Sequence, residues 1–306
     1  MGIKRHSLYI YHNMEREWDE YVDAHAHLAV KTLQTYKHSY LKLMEGLDHS
    51  MAKSNQKDIL AYAREVSKTP NTHAQLLNVA LQIRRFHNEP TDMMVNARDR
   101  VKLEIDARRD QINKVKLDTL PTLPVLKRHM NDLYLNGEFR DYIINYLLIT
   151  FNTRNKDLDV AIVSSKRDAT DPDMNYLILR PAGTLSYVRR SYKTVGRHGV
   201  KENTFKSTKV RKAAEAFINA QGGMGNGPVY LLSTGTNKRI GPDSIQKFIR
   251  ARTYDGLSEG DYNKIAVSTI DHVGDFAALK RVSKNRGTEL GNLIEHYHLS
   301  FKHVET

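Results

Sequence analysis

From Met1 to about Glu89 the apolar side chains recur at helical spacing, and no segment alternates as a half-buried strand would. In "EWDEYVDAHAHLAVKTLQTYKHSYLKLMEGL" the residues Leu33, Tyr36, Tyr40, Leu43 and Leu47 carry the apolar pattern of an amphipathic helix. The stretch "SKTPNTHAQLLNVALQIRRFHNEP" has a turn signal at Pro70-Asn71. A helix follows whose Leu76, Leu77, Ala80 and Ile83 share one face, with Arg84 and Arg85 near its end. Stripes of this kind are stable only when buried against one another, so the chain opens with a helical unit.

Residues 90–120 change character: both charge signs are dense and apolar positions sparse, as in an exposed connecting helix. A chain of 306 residues is long enough for two cores. The expected organisation is therefore a helical domain over 1–95, a connecting helix or linker over 96–119, and a second domain over 120–306. The second begins with two helices, the later one placing Ile143, Ile144, Leu147, Leu148 and Phe151 inward. Then "NYLILRPAGTLSYVRRSYKTVGRHGVKENTF" alternates, is rich in Val, Tyr and Thr, and contains Gly183 and "GRHG" as turn signals, which predicts a small antiparallel meander. Helices resume near Ser207. The expected fold class is mainly α with a small antiparallel β-sheet.

Charge narrows the partners. There are 47 Lys and Arg against 35 Asp and Glu, a net charge of +12, so polyanions are the natural ligands. No apolar run approaches the roughly 20 residues that span a bilayer, and "MGIKRHSLYIYHNMERE" lacks a signal-peptide core. A DNA-associated intracellular protein is expected, in the cytoplasm or nucleus of a host. The absence of cysteine excludes disulfides, thiolate metal sites and a thiol nucleophile. The 14 histidines show no metal-ligand spacing, so neither metal nor cofactor is expected.

Five segments in order then carry a resemblance: the helical N-terminal part, "TFNTRNKDL" after an amphipathic helix, a hairpin bearing "YKT", a helix opening "GDYNKIAVSTI", and "RGTELGNLIEHY". Together, from about Leu33 to Tyr297, they resemble the tyrosine recombinase, or phage integrase, family. The resemblance implies a SAM-like helical DNA-binding domain and a mixed α/β catalytic domain closing as a clamp on double-stranded DNA. It implies a homo-oligomer, dimer or tetramer, on that DNA, with C-terminal segments exchanged between copies. It also implies a tyrosine that attacks the scissile phosphate, leaving a 3′-phosphotyrosyl link and a free 5′-hydroxyl.

Such chemistry needs fixed cations at the non-bridging oxygens, an activated phenol, and a proton for the departing oxygen. On the resemblance, Arg154 matches the first catalytic arginine, and Lys193 the hairpin lysine acting as general acid, with Lys201 beyond the turn its competitor. Asp261 stands where the family has histidine and Lys264 where it has the second arginine. Asp261 also completes an S-x-x-D capping box with Ser258. Gly287 matches a family glycine, and Thr288 replaces the following histidine, nine residues before Tyr297, the nucleophile the resemblance implies. Thr288 is equally placed to cap the last helix. Arg286 or Lys284 are sources for the missing charge. From charge and helix placement, Lys31, Lys37, Lys42, Arg84 and Arg85 are candidate contacts to the DNA backbone, and Arg189, Arg190 and Arg197, around the hairpin lysine, are candidates to support phosphate contacts.

Three functions fit this pattern: a site-specific recombinase or integrase, a DNA-binding structural protein that kept the fold and lost turnover, and a type IB topoisomerase-like enzyme. The altered positions at Asp261, Lys264 and Thr288 favour the second; the retained Arg154, Lys193 and Tyr297 favour the first.

Overall fold

The computed structural model describes residues 5–297 apart from 226, 236 and 271–274. Those residues divide into two compact units, split between Val115 and Lys116. The division falls within one long helix, α5 (Asp92–Thr119).

The first unit contains α1 (Arg5–Ala24), α2 (Val30–Met44), α3 (Gln56–Glu65), α4 (Pro70–Phe86) and the first part of α5. Helix starts follow local chemistry. The Asn55 side chain accepts from the Lys57 N–H to open α3, and Thr69 accepts from Thr72 N–H to open α4, with Pro70 at the first helical position. The stripes read from sequence meet: Tyr40 and Leu43 pack with Trp18, Tyr21, Leu76, Leu77, Ala80, Ile83, Met94 and Val101. One turn of this unit is held by buried charge. Glu17 accepts from Tyr40 Oη (2.6 Å) and from the N–H groups of Met51 (2.9 Å) and Ala52 (2.8 Å). Arg84, only 4% exposed, donates to the carbonyls of Met51, Ala52 and Ser54 at 2.7–3.1 Å and of Pro90 at 3.0 Å. The two ions satisfy opposite ends of the same backbone segment, which is what buried charges require.

The second unit starts with the end of α5 and continues through α6 (Leu123–Leu135) and α7 (Phe139–Phe151). Then come β1 (Val160–Val163), β2 (Asn175–Leu179), β3 (Thr184–Arg189), α8 (Val195–His198), β4 (Lys201–Lys206), α9 (Thr208–Ala220) and β5 (Val229–Tyr230). It ends in α10 (Ile245–Arg250), α11 (Glu259–Ser268), α12 (Phe276–Arg286) and α13 (Leu290–Tyr297). The described residues form one five-stranded sheet in the order β4-β3-β2-β1-β5. The meander β2-β3-β4 is antiparallel, with Leu177 opposite Tyr187 and Tyr187 opposite Asn203.

The sheet as a whole is mixed, which corrects the antiparallel expectation: β1 runs parallel to β2 and pairs antiparallel with β5. Strand β1, "VAIV", is buried at all four positions, so it carries no alternation to announce a strand. The core joins Ile143, Ile144, Leu147 and Leu148 of α7 to Ile162, Leu177 and Tyr187 of the sheet and to Val210 and Phe217 of α9. This core fixes the end of α7, and with it the segment that bears Arg154.

Candidate active site

Helix α7 stops at Phe151 because Asn152 turns into the left-handed region (φ 50°), a conformation Asn tolerates better than most residues. Arg154 then lies extended ahead of a single 3-10 turn, Asn155–Leu158. The fully buried Asp157 carboxylate accepts the Arg154 N–H at 3.2 Å and pairs with Arg189 Nη1 at 3.5 Å. The Arg154 guanidinium donates through Nη1 to the Arg286 carbonyl (2.7 Å) and through Nη2 to Thr288 Oγ1 (2.9 Å). Burial lowers its pKa, and the neighbouring Arg286 lowers it further, while Asp157, Glu259 and Tyr297 act in the opposite sense.

What gathers these groups is the C-terminus of α12. The last carbonyls of any helix lack intrahelical partners and form its negative end. Here Lys201 Nζ donates to the carbonyl of Lys284 (2.5 Å) and more weakly to that of Asn285 (3.4 Å). Arg189 Nη1 donates to Asn285 O at 2.6 Å, Arg154 to Arg286 O, and Thr194 Oγ1 to Gly287 O at 3.2 Å. Three cations and a hydroxyl thus serve four consecutive carbonyls. Gly287 is required on two counts. Its φ is +66°, and a Cβ there would lie 2.5 Å from Thr194 Oγ1 and 2.9 Å from Lys201 Nζ.

Beyond Gly287, α13 presents Tyr297. Leu293 is the buried anchor, packed with Val267, Leu279 and Val282, and Tyr297 sits half-buried at the margin of that cluster. Arg286, 2% exposed, reaches the phenol: Nη2 donates to Tyr297 Oη at 3.1 Å, and its Cζ lies 4.8 Å from the ring centroid. The same Nη2 donates to Glu259 Oε1 at 3.2 Å, and Nη1 to Asn152 O at 3.4 Å. The phenol oxygen therefore has a fixed, charged hydrogen-bond donor against it. Lys201 has the complementary property. Burial, reinforced by Arg189, lowers its pKa from 10.5 to about 8, within the range where an ammonium is an effective proton donor.

The structure distributes the expected site residues unevenly. Arg154 and Tyr297 converge on Arg286, and Thr288 accepts from Arg154. Asp261 closes the capping box with Ser258 and pairs with Lys116, an N-terminal role for α11. Lys264 lies half-buried on the same helix. Lys193 is exposed in the turn after β3, and Lys201, at the start of β4, is the lysine that reaches α12. Thr288 lies outside α13, which opens at Leu290, and accepts from Arg154 instead of capping. Arg84 and Arg189 are both buried and donate to the protein's own oxygens. Arg190 donates to the carbonyls of Ala169 and Asp171, and Arg197 pairs with Glu289 on the surface. Lys42 donates to Val66 O, while Lys31, Lys37 and Arg85 are exposed. The C-terminal tail, residues 298–306, lies outside the described residues.

Two groups carry more of the site than the sequence suggested. Arg286, which the sequence offers together with Lys284 as a source for the missing charge, supplies the second guanidinium. Glu259 sits opposite it and had no sequence signal beyond an acidic residue at a helix start. Among the described residues, no helix is long and apolar enough to cross a membrane.

No protein-family model and no curated protein matches the chain. In structure it is weakly similar to XerA recombinase, known from a crystal structure, with a TM-score of 0.38 and 11% identity over 95% of this chain and 96% of that one. At this level of likeness the functional reading rests on the site's own geometry.

Proposed function

We propose that the protein is a DNA strand transferase of the tyrosine-recombinase type, cleaving and rejoining specific sites as a homo-oligomer on duplex DNA. The observation that carries this reading is the 3.1 Å contact from Arg286 Nη2 to Tyr297 Oη, made by a residue whose own carbonyl is held by Arg154. A half-buried phenol beside two guanidiniums is poor design for a hydrocarbon core and good design for attack on a phosphodiester.

In the proposed step the Tyr297 oxygen attacks phosphorus and its phenolic proton passes to water. The bond from phosphorus to the 5′-oxygen breaks, and Lys201 gives that oxygen a proton. Arg154 and Arg286 set their positive charge against the non-bridging oxygens, where developing charge is greatest, and Thr288 adds a hydroxyl donor. The product is a 3′-phosphotyrosyl link and a 5′-hydroxyl, which the reverse reaction reseals on the same or a partner strand. Lys31, Lys37 and Arg85 in the first unit supply backbone contacts, so binding is expected to weaken steeply with salt.

The test uses nicked duplexes that include the DNA ends of the element encoding the chain. The expected result is a denaturation-resistant protein–DNA adduct that disappears in Tyr297→Phe. An adduct that persists in the variant moves the nucleophile elsewhere. Salt-sensitive binding without an adduct on any duplex supports a structural DNA-binding protein, and relaxation of supercoiled plasmid without strand exchange supports a type IB topoisomerase-like enzyme.

A further inference from the structure

The strand-transfer reading assigns phosphate-stabilising charge to Arg154 and Arg286 but leaves unexplained why an acid stands among them. Glu259 is the first residue of α11, where the helix dipole favours its negative charge. Its two oxygens serve different partners. Oε1 accepts from Arg286 Nη2 at 3.2 Å, and Oε2 accepts from the backbone N–H of Asn155, the residue that follows Arg154. The carboxylate also lies close enough to Arg154 to favour its charged form, against the repulsion of Arg286.

The geometry points to Glu259 as a positioning residue that fixes the spacing of the two guanidiniums: one oxygen holds the Arg286 head beside the Tyr297 phenol, and the other holds the main chain from which Arg154 projects. Three chain segments far apart in sequence, at 154–155, 259 and 286, meet on this one carboxylate. Two guanidiniums with a shared anionic target repel each other when the target is absent. A fixed counter-charge keeps them close in the free protein, so that a phosphodiester meets a formed site. A carboxylate can do this because it accepts on both oxygens. An amide cannot, since its nitrogen is a donor and would face either an N–H or a guanidinium.

The inference rests on the strand-transfer reading, and Glu259→Gln separates the two. At saturating nicked duplex, the rate of Tyr297 adduct formation is expected to fall by about 10- to 100-fold, the scale of a slight misplacement of catalytic groups. The equilibrium affinity for the same duplex should not fall, because a negative charge near the phosphate has been removed. Arg286→Ala combined with Glu259→Gln should lose less than the product of the two single losses, since Glu259 acts in part through that arginine. Glu259→Asp, which keeps the charge on a shorter stem, should fall between wild type and Gln, and thermal melting of each variant checks that it is folded. Wild-type or faster cleavage by a folded Glu259→Gln protein, or independent losses in the double variant, would overturn the inference while leaving the strand-transfer reading intact. Absence of any Tyr297 adduct in the wild-type protein would overturn both.

Discussion

Arg154 donates to the main-chain carbonyl of Arg286 across 132 residues of sequence, at 2.7 Å. One guanidinium is thereby seated on the backbone that carries the other. The consequence is a paired cationic site whose two halves cannot be moved independently, built where a helix end already needed donors.

Replacing Arg154 tests the fork as well as the charge. Arg154→Lys keeps the charge and loses the two-pronged geometry that now spans Arg286 O and Thr288 Oγ1. Single-turnover adduct formation is expected to slow by about 10²- to 10³-fold, the cost typical of losing one transition-state donor. A rate within twofold of wild type, an approximate bound set against that scale, would remove Arg154 from the chemistry.

Lys201 predicts a pH dependence. Its pKa is lowered to about 8, so cleavage should decline as pH rises through that value and the ammonium is lost. Lys201→Ala should be slow and lack this limb, Lys193→Ala should retain it, and a substrate with a sulfur leaving group, which needs no proton, should restore the rate of Lys201→Ala. Stability moves the other way. Between about pH 8 and 10.5 the unfolded chain holds the lysine proton more firmly than the folded one, so this residue's contribution to stability rises with pH across that window. Thermal melting of wild type against Lys201→Met over that range measures it.

Gly287→Ala is expected to be costly in two separable ways. The left-handed backbone costs a side chain about 1–2 kcal/mol. The new methyl would also strike Thr194 and Lys201, and overpacking of this kind costs about 1–3 kcal/mol. Denaturant unfolding reads the sum. The same variant should shift the alkaline limb assigned to Lys201, because that ammonium must move.

Much of this arrangement is legible in the amino-acid sequence. The amphipathic helices of the first unit and the β2-β3-β4 meander each follow from a local pattern that the structure repeats, whereas Gly287 stands out in the sequence only through the family resemblance. The reading was poorer where tertiary placement decides. Strand β1 is buried on both faces and has no alternation, and its parallel partner depends on the whole sheet. Lys193 and Lys201 look alike in a basic hairpin, and only the start of β4 aims Lys201 at α12. The resemblance puts Lys264 at the second cation's position and leaves Arg286 and Lys284 as undistinguished further sources of charge; it is the packing of α12 against α7 and α13 that brings Arg286 to the phenol.

Arg84 illustrates the same limit and supports a stability prediction. A basic residue near a helix end reads as a surface contact, yet this one caps a buried turn. Arg84→Met leaves the carbonyls of Met51, Ala52 and Ser54 short of a donor and removes the positive charge that Glu17 feels nearby, and should cost about 3–5 kcal/mol in chemical denaturation. The exposed Arg85→Ala should change stability by no more than about 0.5 kcal/mol.

The most direct measurement is to digest the protein–DNA adduct with protease and nuclease and map the nucleotide-bearing residue by mass spectrometry. Attachment through the phenolic oxygen of Tyr297, on a 3′-phosphate, is the predicted result. A nucleotide carried by any other side chain, or a 5′-phosphate linkage, would contradict the account.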